Sequence, residues 1–240
     1  MIKINEINSN IENLKKSLPS LEIDSVFLEQ GGKIEKLFYK DESLHELRSC
    51  AKLLVAMAIG IAIDKEMITL DTPIYPSIKN IVNVTNKSNL EKIKQWTVRN
   101  LLTHTTGYEK QMMSENYIKN IDKNKLLDYA LNYDIPYNVD TRFAYNNVEP
   151  FILSVFFQES FNINLTDFIK ENIFDKLEIV DYKWENYGKY CPASTGLYLN
   201  HSDFHKIGKL LLNGGKYNNI QVVPEKWINQ MCILQLETPS

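Results

Sequence analysis

The sequence predicts an α+β fold, and three stretches carry that reading. Two strand-like runs, residues 23–29 and 33–40, flank Gln30-Gly31-Gly32 in the pattern of an antiparallel hairpin. Residues 53–63 hold no charged or strongly polar side chain, so a helix there is apolar all round and belongs in the middle of a core. Residues 97–174 read as a succession of helices separated by turn signals, a mostly helical lobe.

The composition narrows the function classes. A chain of 240 residues can bury a substantial core, as one large domain or two interleaved lobes. Its hydrophobic share of 44% and charged share of 24% are ordinary for a soluble protein, and the run at 53–63 is far too short to span a bilayer. A net charge of −3 offers no basic surface for nucleic acid or an anionic membrane, so neither is expected as a partner. Cys50, Cys191 and Cys232 are an odd number without a Cys-x-x-Cys, which argues against a disulfide framework and fits a reducing compartment. The first eight residues have neither an apolar core nor a cleavage site of a signal peptide, so a cytoplasmic location is expected.

In chain order, Ile4, Ile7, Ile11 and Leu14 recur at helical spacing and predict an amphipathic helix over residues 3–17, ended by Pro19. The hairpin follows. Its Gly31-Gly32 reads as a turn, since no Gly-x-Gly-x-x-Gly or Walker pattern occurs in the chain. Ser49 is the expected N-cap of the apolar helix, with Cys50 a small filler in its first turn. Residues 67–73 connect to the helical stretch. There Thr97 should cap a helix over 98–104 that Gly107 closes. Helices are also expected over 125–133 and 150–161, and Thr166 should cap one running to Phe174. Past Gly196-Leu197-Tyr198-Leu199 the chain leaves this lobe. Ser202 should begin a helix through Leu212, ended by Asn213-Gly214-Gly215, and residues 224–233 form a last short one. His201 and His205 have an i, i+4 spacing that can bind zinc, but no third ligand stands out. Ser202 and Asp203 read as helix-start residues, and no metal or cofactor is expected.

The chemistry is concentrated at the start of the apolar helix. Ser49-Cys50-Ala51-Lys52 is the one Ser-x-x-Lys in the chain. On a helix this spacing sets both side chains on one face, with Cβ atoms roughly 5–6 Å apart. A lysine at the rim of a core is costly unless paired or neutral, and desolvation favours the neutral amine, a usable base. A serine beside such a base is an activated nucleophile, and the helix N-terminus suits an oxyanion. The pair needs a proton shuttle, and Tyr-x-Asn offers one. The pattern occurs at Tyr145-Asn146-Asn147, Tyr198-Leu199-Asn200 and Tyr217-Asn218-Asn219. The third follows Gly214-Gly215 and reads as a surface turn, and the second lies just before a helix cap. Tyr145 sits on a tight loop before an apolar helix, the best placed of the three.

With these motifs the chain resembles the serine β-lactamase and DD-peptidase superfamily, in its class C-like branch. Ser49-Cys50-Ala51-Lys52, Leu70-Asp71-Thr72-Pro73, Leu101-Leu102-Thr103-His104-Thr105-Thr106-Gly107 and Tyr145-Asn146-Asn147 carry the resemblance, followed by residues 196–199, Asp203 and residues 210–215, all in the order of that branch over about residues 25–230. The resemblance implies an α/β sandwich with an antiparallel sheet plus an inserted helical lobe, with the site between them. Residues 1–75 with 190–240 would form the α/β lobe and residues 76–189 the helical lobe. It implies Ser49 as acylated nucleophile, Lys52 as its base, Tyr145 as proton shuttle and Asn147 as a substrate-amide contact. The substrate would be a small-molecule amide or ester.

One part of the pattern is missing. The superfamily's third motif, Lys-Thr-Gly or His-x-Gly on a strand beside the site, does not occur; Ser194-Thr195-Gly196 comes nearest but lacks the cation and stands in the wrong context. The resemblance therefore implies a C-terminally truncated version with the first two strands of the sheet and half an oxyanion hole. Losing one oxyanion donor costs roughly 10²–10³ in rate. A non-catalytic or impaired relative with a binding or assembly role is the alternative, and a homodimer or a missing C-terminal segment is expected to cover the open sheet edge.

Overall fold

Two apolar segments set the architecture, and the remaining elements wrap them. The computed structural model describes residues 4–30 and 33–236. Gly31 and Gly32, where the hairpin turn is expected, and residues 1–3 and 237–240 lie outside the described residues.

Helix α1 (Ile4–Ser17) leads into a 3₁₀ turn (Leu18–Ser20). Leu14, expected on its apolar stripe, is 40% exposed. The predicted hairpin is present as β1 (Ser25–Gln30) and β2 (Lys33–Tyr39), antiparallel, with Ser25 opposite Tyr39 and a bulge between Val26 and Phe27. Then come β3 (His45–Glu46), a 3₁₀ turn (Arg48–Cys50) and α2 (Ala51–Asp64). The helical stretch follows as α3 (Tyr75–Ile78), α4 (Lys87–Ile93), α5 (Val98–Thr103), α6 (Glu115–Ile118), α7 (Leu126–Asn132), α8 (Val148–Phe161) and α9 (Leu165–Ile169), the last running on through a π turn (Lys170–Phe174). The chain closes with β4 (Tyr182–Trp184), β5 (Leu197–Leu199), α10 (His201–Leu212), the small hairpin β6 (Lys216–Tyr217) and β7 (Ile220–Gln221), and α11 (Glu225–Cys232).

Helix α2 is buried from Leu54 to Ala62 except at half-buried Ala56, and α8 is buried from Val148 through Phe157. Each fully buried Leu, Ile or Phe contributes about 1.5–3 kcal/mol, so these two helices dominate the core. Helix α2 packs on α9 and α11, and α8 on α3, α5 and α9. Residues 70–73 run beside the start of α5: Val98 N–H donates to the Thr72 carbonyl at 3.1 Å, and Asp71 pairs with Arg99. The first hairpin lies on α10, where Phe27 stacks edge-on with His205 and Glu29 meets Lys209 at 2.9 Å.

Several local expectations need correction. Ser49 does not cap α2. It sits inside the 3₁₀ turn, and Cys50 takes the cap position without a side-chain bond; Cys50 is exposed and fills no core space. Helix α5 ends at His104, which adopts the left-handed conformation at φ 54°, three residues before Gly107. Asn164 caps α9 by accepting from Thr166 N–H, because a carboxamide placed just outside the first turn reaches the free donors better than Thr166 within it. Asn200 caps α10 in the same way, one residue before the helix begins at His201. A three-stranded sheet in the order β3-β5-β4 also exists that no pattern announced, because strands of two or three residues are too short to show a period. Tyr217-Asn218-Asn219 is a hairpin turn as expected, with both asparagines at positive φ. Among the described residues no helix is long and apolar enough to cross a membrane.

Helix α11 approaches α2 at Gly60. Trp227 donates its indole N–H to the Ala56 carbonyl at 2.8 Å, and a Cβ on Gly60 would lie 2.0 Å from the indole ring. Ala normally stabilises a helix by about 1 kcal/mol over Gly. Gly60→Ala is expected to reverse that sign and destabilise by about 1–3 kcal/mol through overpacking. Gly208 on α10 has open space where a Cβ would go, so Gly208→Ala should stabilise by about 0.5–1 kcal/mol. Urea unfolding of the two variants measures both; a stabilised Gly60→Ala would show that α11 does not pack as described.

Candidate active site

The ammonium of Lys52 has three N–H donors, and three chain segments meet them. Its Nζ lies 3.2 Å from Ser49 Oγ, one turn back on the chain. It donates to Asn147 Oδ1 at 2.8 Å and to the Ser194 carbonyl at 3.3 Å. It also stands 4.8 Å from the centroid of the Tyr145 ring. The structure thus brings together all four residues singled out from the sequence: Ser49, Lys52, Tyr145 and Asn147. Ser49 is exposed and Lys52 half-buried. Tyr145 is 41% exposed and Asn147 buried.

Asn147 is at the N-cap position of α8, yet its side chain does not cap. That task falls to Asn146, whose Oδ1 accepts from Val148 N–H at 2.7 Å. The Asn147 amide is thereby free to bridge, with Oδ1 on Lys52 and Nδ2 donating to the Met113 carbonyl at 3.2 Å.

The loop that carries Tyr145 is held by the turn after α5. Ala144 N–H donates to the His104 carbonyl at 3.1 Å, Asp140 N–H to that of Thr105 at 2.9 Å, and Tyr137 N–H to that of Gly107 at 3.1 Å. Gly107 has φ +100°, and a Cβ there would meet the Tyr137 carbonyl at 2.3 Å, so this close approach of two backbones demands glycine. Behind the loop lies Glu149, with no exposed surface. Its carboxylate accepts from Thr106 Oγ1 at 2.6 Å and Asn146 Nδ2 at 3.0 Å, and faces His104 Nδ1 at 3.3 Å. The His104 ring packs on that of Tyr145, centroids 5.3 Å apart. Glu149 was not read from the sequence, although a lone acid opening an apolar helix is itself a signal of a buried, bonded carboxylate.

The third segment arrives through the short sheet. Leu47 N–H donates to the Leu197 carbonyl at 2.7 Å, and Glu46 Oε1 accepts from Thr195 Oγ1 at 2.7 Å and from Gly196 N–H at 3.2 Å. These contacts deliver the Ser194 carbonyl to Lys52. Ser194-Thr195-Gly196, read from the sequence as out of context, therefore lies at the site. Ser49, Asn147 and Thr195 open on a cleft of about 420 Å³, whose rim mixes Arg48 and Lys119 with Glu46 and Glu185. Burial pushes the Tyr145 phenol up, but the hydrogen-bonding influence of Lys52 and Ser49 outweighs it, and the phenol is held below the usual tyrosine range.

The sequence profile of the family described as Beta-lactamase matches residues 29–216. No curated protein matches the chain. Many solved structures share its fold, among them the following three. One is a protein from Bacillus anthracis assigned as a 6-aminohexanoate-dimer hydrolase, at TM-score 0.71 and 20% identity over 92% of this chain and 62% of that one. Another is the octameric penicillin-binding protein homologue from Pyrococcus abyssi, at TM-score 0.73 and 16% identity over 99% and 62%. The third is a D-stereospecific amidohydrolase from Streptomyces sp., at TM-score 0.69 and 12% identity over 92% and 76%. The chain thus spans 62% of the length of the first two.

The Tyr145 shift carries a sign that can be checked. A cation beside a phenol favours the phenolate, so Tyr145 should deprotonate below the ordinary value of about 10. Lys52→Met removes the charge while burial and the Ser49 hydrogen bond remain, and Tyr145 should then titrate higher than in the parent chain. NMR of ζ-¹³C-tyrosine, assigned with Tyr145→Phe, measures both. A Tyr145 that titrates no lower in the parent chain than in Lys52→Met would disprove the coupling.

Proposed function

Because the chain belongs to the beta-lactamase family, we propose that it is a serine hydrolase that cleaves amide or ester bonds of small molecules through an acyl-enzyme. The observation that carries this reading is the 3.2 Å contact between Lys52 Nζ and Ser49 Oγ at the edge of an open cleft. The cleft lies between an α/β lobe (residues 1–75 and 190–240) and a helical lobe (residues 76–189).

The proposed reaction begins with Lys52 as the neutral amine. Two N–H groups remain on Asn147 Oδ1 and the Ser194 carbonyl, and the nitrogen lone pair faces Ser49. Ser49 Oγ attacks the substrate carbonyl carbon while its proton passes to Lys52 Nζ. The tetrahedral oxyanion lies at the N-terminal end of α2, where the helix dipole favours negative charge. Tyr145 then passes a proton to the leaving nitrogen or oxygen as the C–N or C–O bond breaks, and its lowered pKa suits a group that exchanges protons with Lys52. Water reverses the sequence and releases the acid product. Asn147 holds Lys52 in place, and its Oδ1 keeps a second lone pair for a substrate N–H.

An acylating probe tests the proposal. A fluorophosphonate or a penicillin should add its acyl or phosphonyl mass to Ser49, and Ser49→Ala should remove the adduct without loss of fold. Hydrolysis of a chromogenic ester should fall on the order of 10³–10⁶-fold in Ser49→Ala. Lys52→Arg should be comparably inactive, since a guanidinium stays protonated. Labelling at exposed Cys50, or labelling that survives Ser49→Ala, would overturn the assignment. A folded chain that takes no label would instead support the non-catalytic reading.

A further inference from the structure

A second cluster of chemically able side chains lies in the frame that carries Ser49, apart from the cleft. Asp24, just before β1, His45 in β3 and His201 at the start of α10 each offer one ligand atom within 4.8 Å of the other two. The two imidazole rings stand 4.2 Å apart at 32°. We propose that these three residues form a site for a divalent transition metal of the zinc class, which clamps the start of the first hairpin, β3 and α10 to one another.

The hydrogen bonds around His45 carry the argument. Its Nε2 lies 2.9 Å from Ser43 Oγ, and its Nδ1 lies 3.5 Å from Asp24 Oδ2. Ser43 has one O–H, and that proton goes to the Asp41 carboxylate, which can only accept. His45 Nε2 must therefore donate to Ser43. In the neutral ring Nδ1 is then a bare lone pair, and it faces a carboxylate. A metal ion held between these two acceptors would bind both. His201 adds the second observation: its Nε2 is shielded from solvent and has no hydrogen-bond partner. A buried nitrogen without a partner is costly, and metal ligation would satisfy it.

The donor set selects the metal. Two imidazoles and one carboxylate suit zinc, cobalt or nickel, whereas magnesium and calcium prefer oxygen alone. Three protein ligands leave a fourth position for water. The Asp41–Ser43–His45 relay is the outer arrangement that orients a ligating histidine and fixes its tautomer. The His201 and His205 pairing suggested by their spacing is not the one the fold makes, since His205 turns to Glu29 at 3.1 Å while His201 turns to His45. His45 is four residues from the nucleophile position, so a metal here would stiffen the strand that leads into the Ser49 turn.

The test uses the full chain stripped with chelator and titrated with zinc or cobalt chloride. One equivalent should bind by calorimetry, and the melting temperature should rise with metal as the folded state gains a ligand. Loss of a ligand in His201→Ala or Asp24→Asn should weaken binding by about 100-fold or more, and Ser43→Ala by about 10–100-fold. His205→Gln should leave it unchanged. The cobalt spectrum of the unaltered chain needs no variant to fold. It should show nitrogen and oxygen ligation without thiolate charge-transfer bands. Absence of saturable binding, sulfur ligation through Cys50 or Cys232, or full affinity in folded His201→Ala would each overturn the proposal.

Discussion

The side chain of Lys52 is the constraint on which the rest of the site depends. A half-buried ammonium with no carboxylate among its partners must place each N–H on a neutral acceptor or lose the solvation it gave up. Its acceptors come from the turn before α2, the cap residue before α8 and the bend after Pro192. Hydrogen bonds to a charged group are worth about 1.5–3 kcal/mol each. That is comparable to burying a large apolar side chain, so the lysine ties together three segments that hydrophobic packing alone would leave free to slide. The two most apolar helices of the chain serve this arrangement, because each begins at the site and is anchored by its burial.

Backbone strain collects in the same place. Arg48, His104, Met113 and Ala193 all have positive φ, a conformation that costs a non-glycine residue about 1–2 kcal/mol. Arg48 precedes Ser49, and the His104 ring packs on Tyr145. Met113 offers its carbonyl to Asn147, and Ala193 precedes the Ser194 carbonyl that meets Lys52. Other positive-φ residues, such as Asn162, Asn218 and Asn219, end helices or turn hairpins, and asparagine tolerates the conformation more readily. Strain that borders one constellation and persists is strain that the surrounding bonds over-determine. Here those bonds are the Glu149 network and the ladder between residues 104–107 and 137–144.

What the sequence showed of this was set by range. Ser49 and Lys52 are one helical turn apart, and Tyr145 and Asn147 are two residues apart, so spacing alone could find each pair. The all-apolar run of α2 and the Thr97 cap of α5 were equally local. Fold class followed from these elements in order. The bridging of Asn147 was not local: it depends on Asn146 taking the cap, a choice between adjacent identical side chains that only the tertiary position of Lys52 decides. Glu149, His104 and Thr106 meet across more than forty residues, and His201 reaches Asp24 and His45 from more than 150 residues away. Cys50 looked like core because it stands beside core residues. The 3₁₀ turn rotates it outward, and such a turn leaves no periodic trace in three residues.

Electrostatics joins the two buried helices to the chemistry. Helices α2 and α8 both begin at the cleft, and neither N-cap residue neutralises its helix end with its own side chain. Each N-terminus carries roughly half a positive charge, worth about 0.3–1 kcal/mol to an anion nearby. With the Lys52 ammonium this makes the floor of the cleft positive, although the chain as a whole has a net charge of −3. Such a field favours negative charge where it develops, above all the oxyanion on the substrate during reaction. The same field repels a second cation. Arg48 is drawn instead toward Glu46, 4.0 Å away, whose other oxygen already holds Thr195 and Gly196. The acid that fixes the third segment thereby also faces the nearest guanidinium. One carboxylate at the rim thus joins the third segment and the Arg48 side chain to the strand that leads into Ser49.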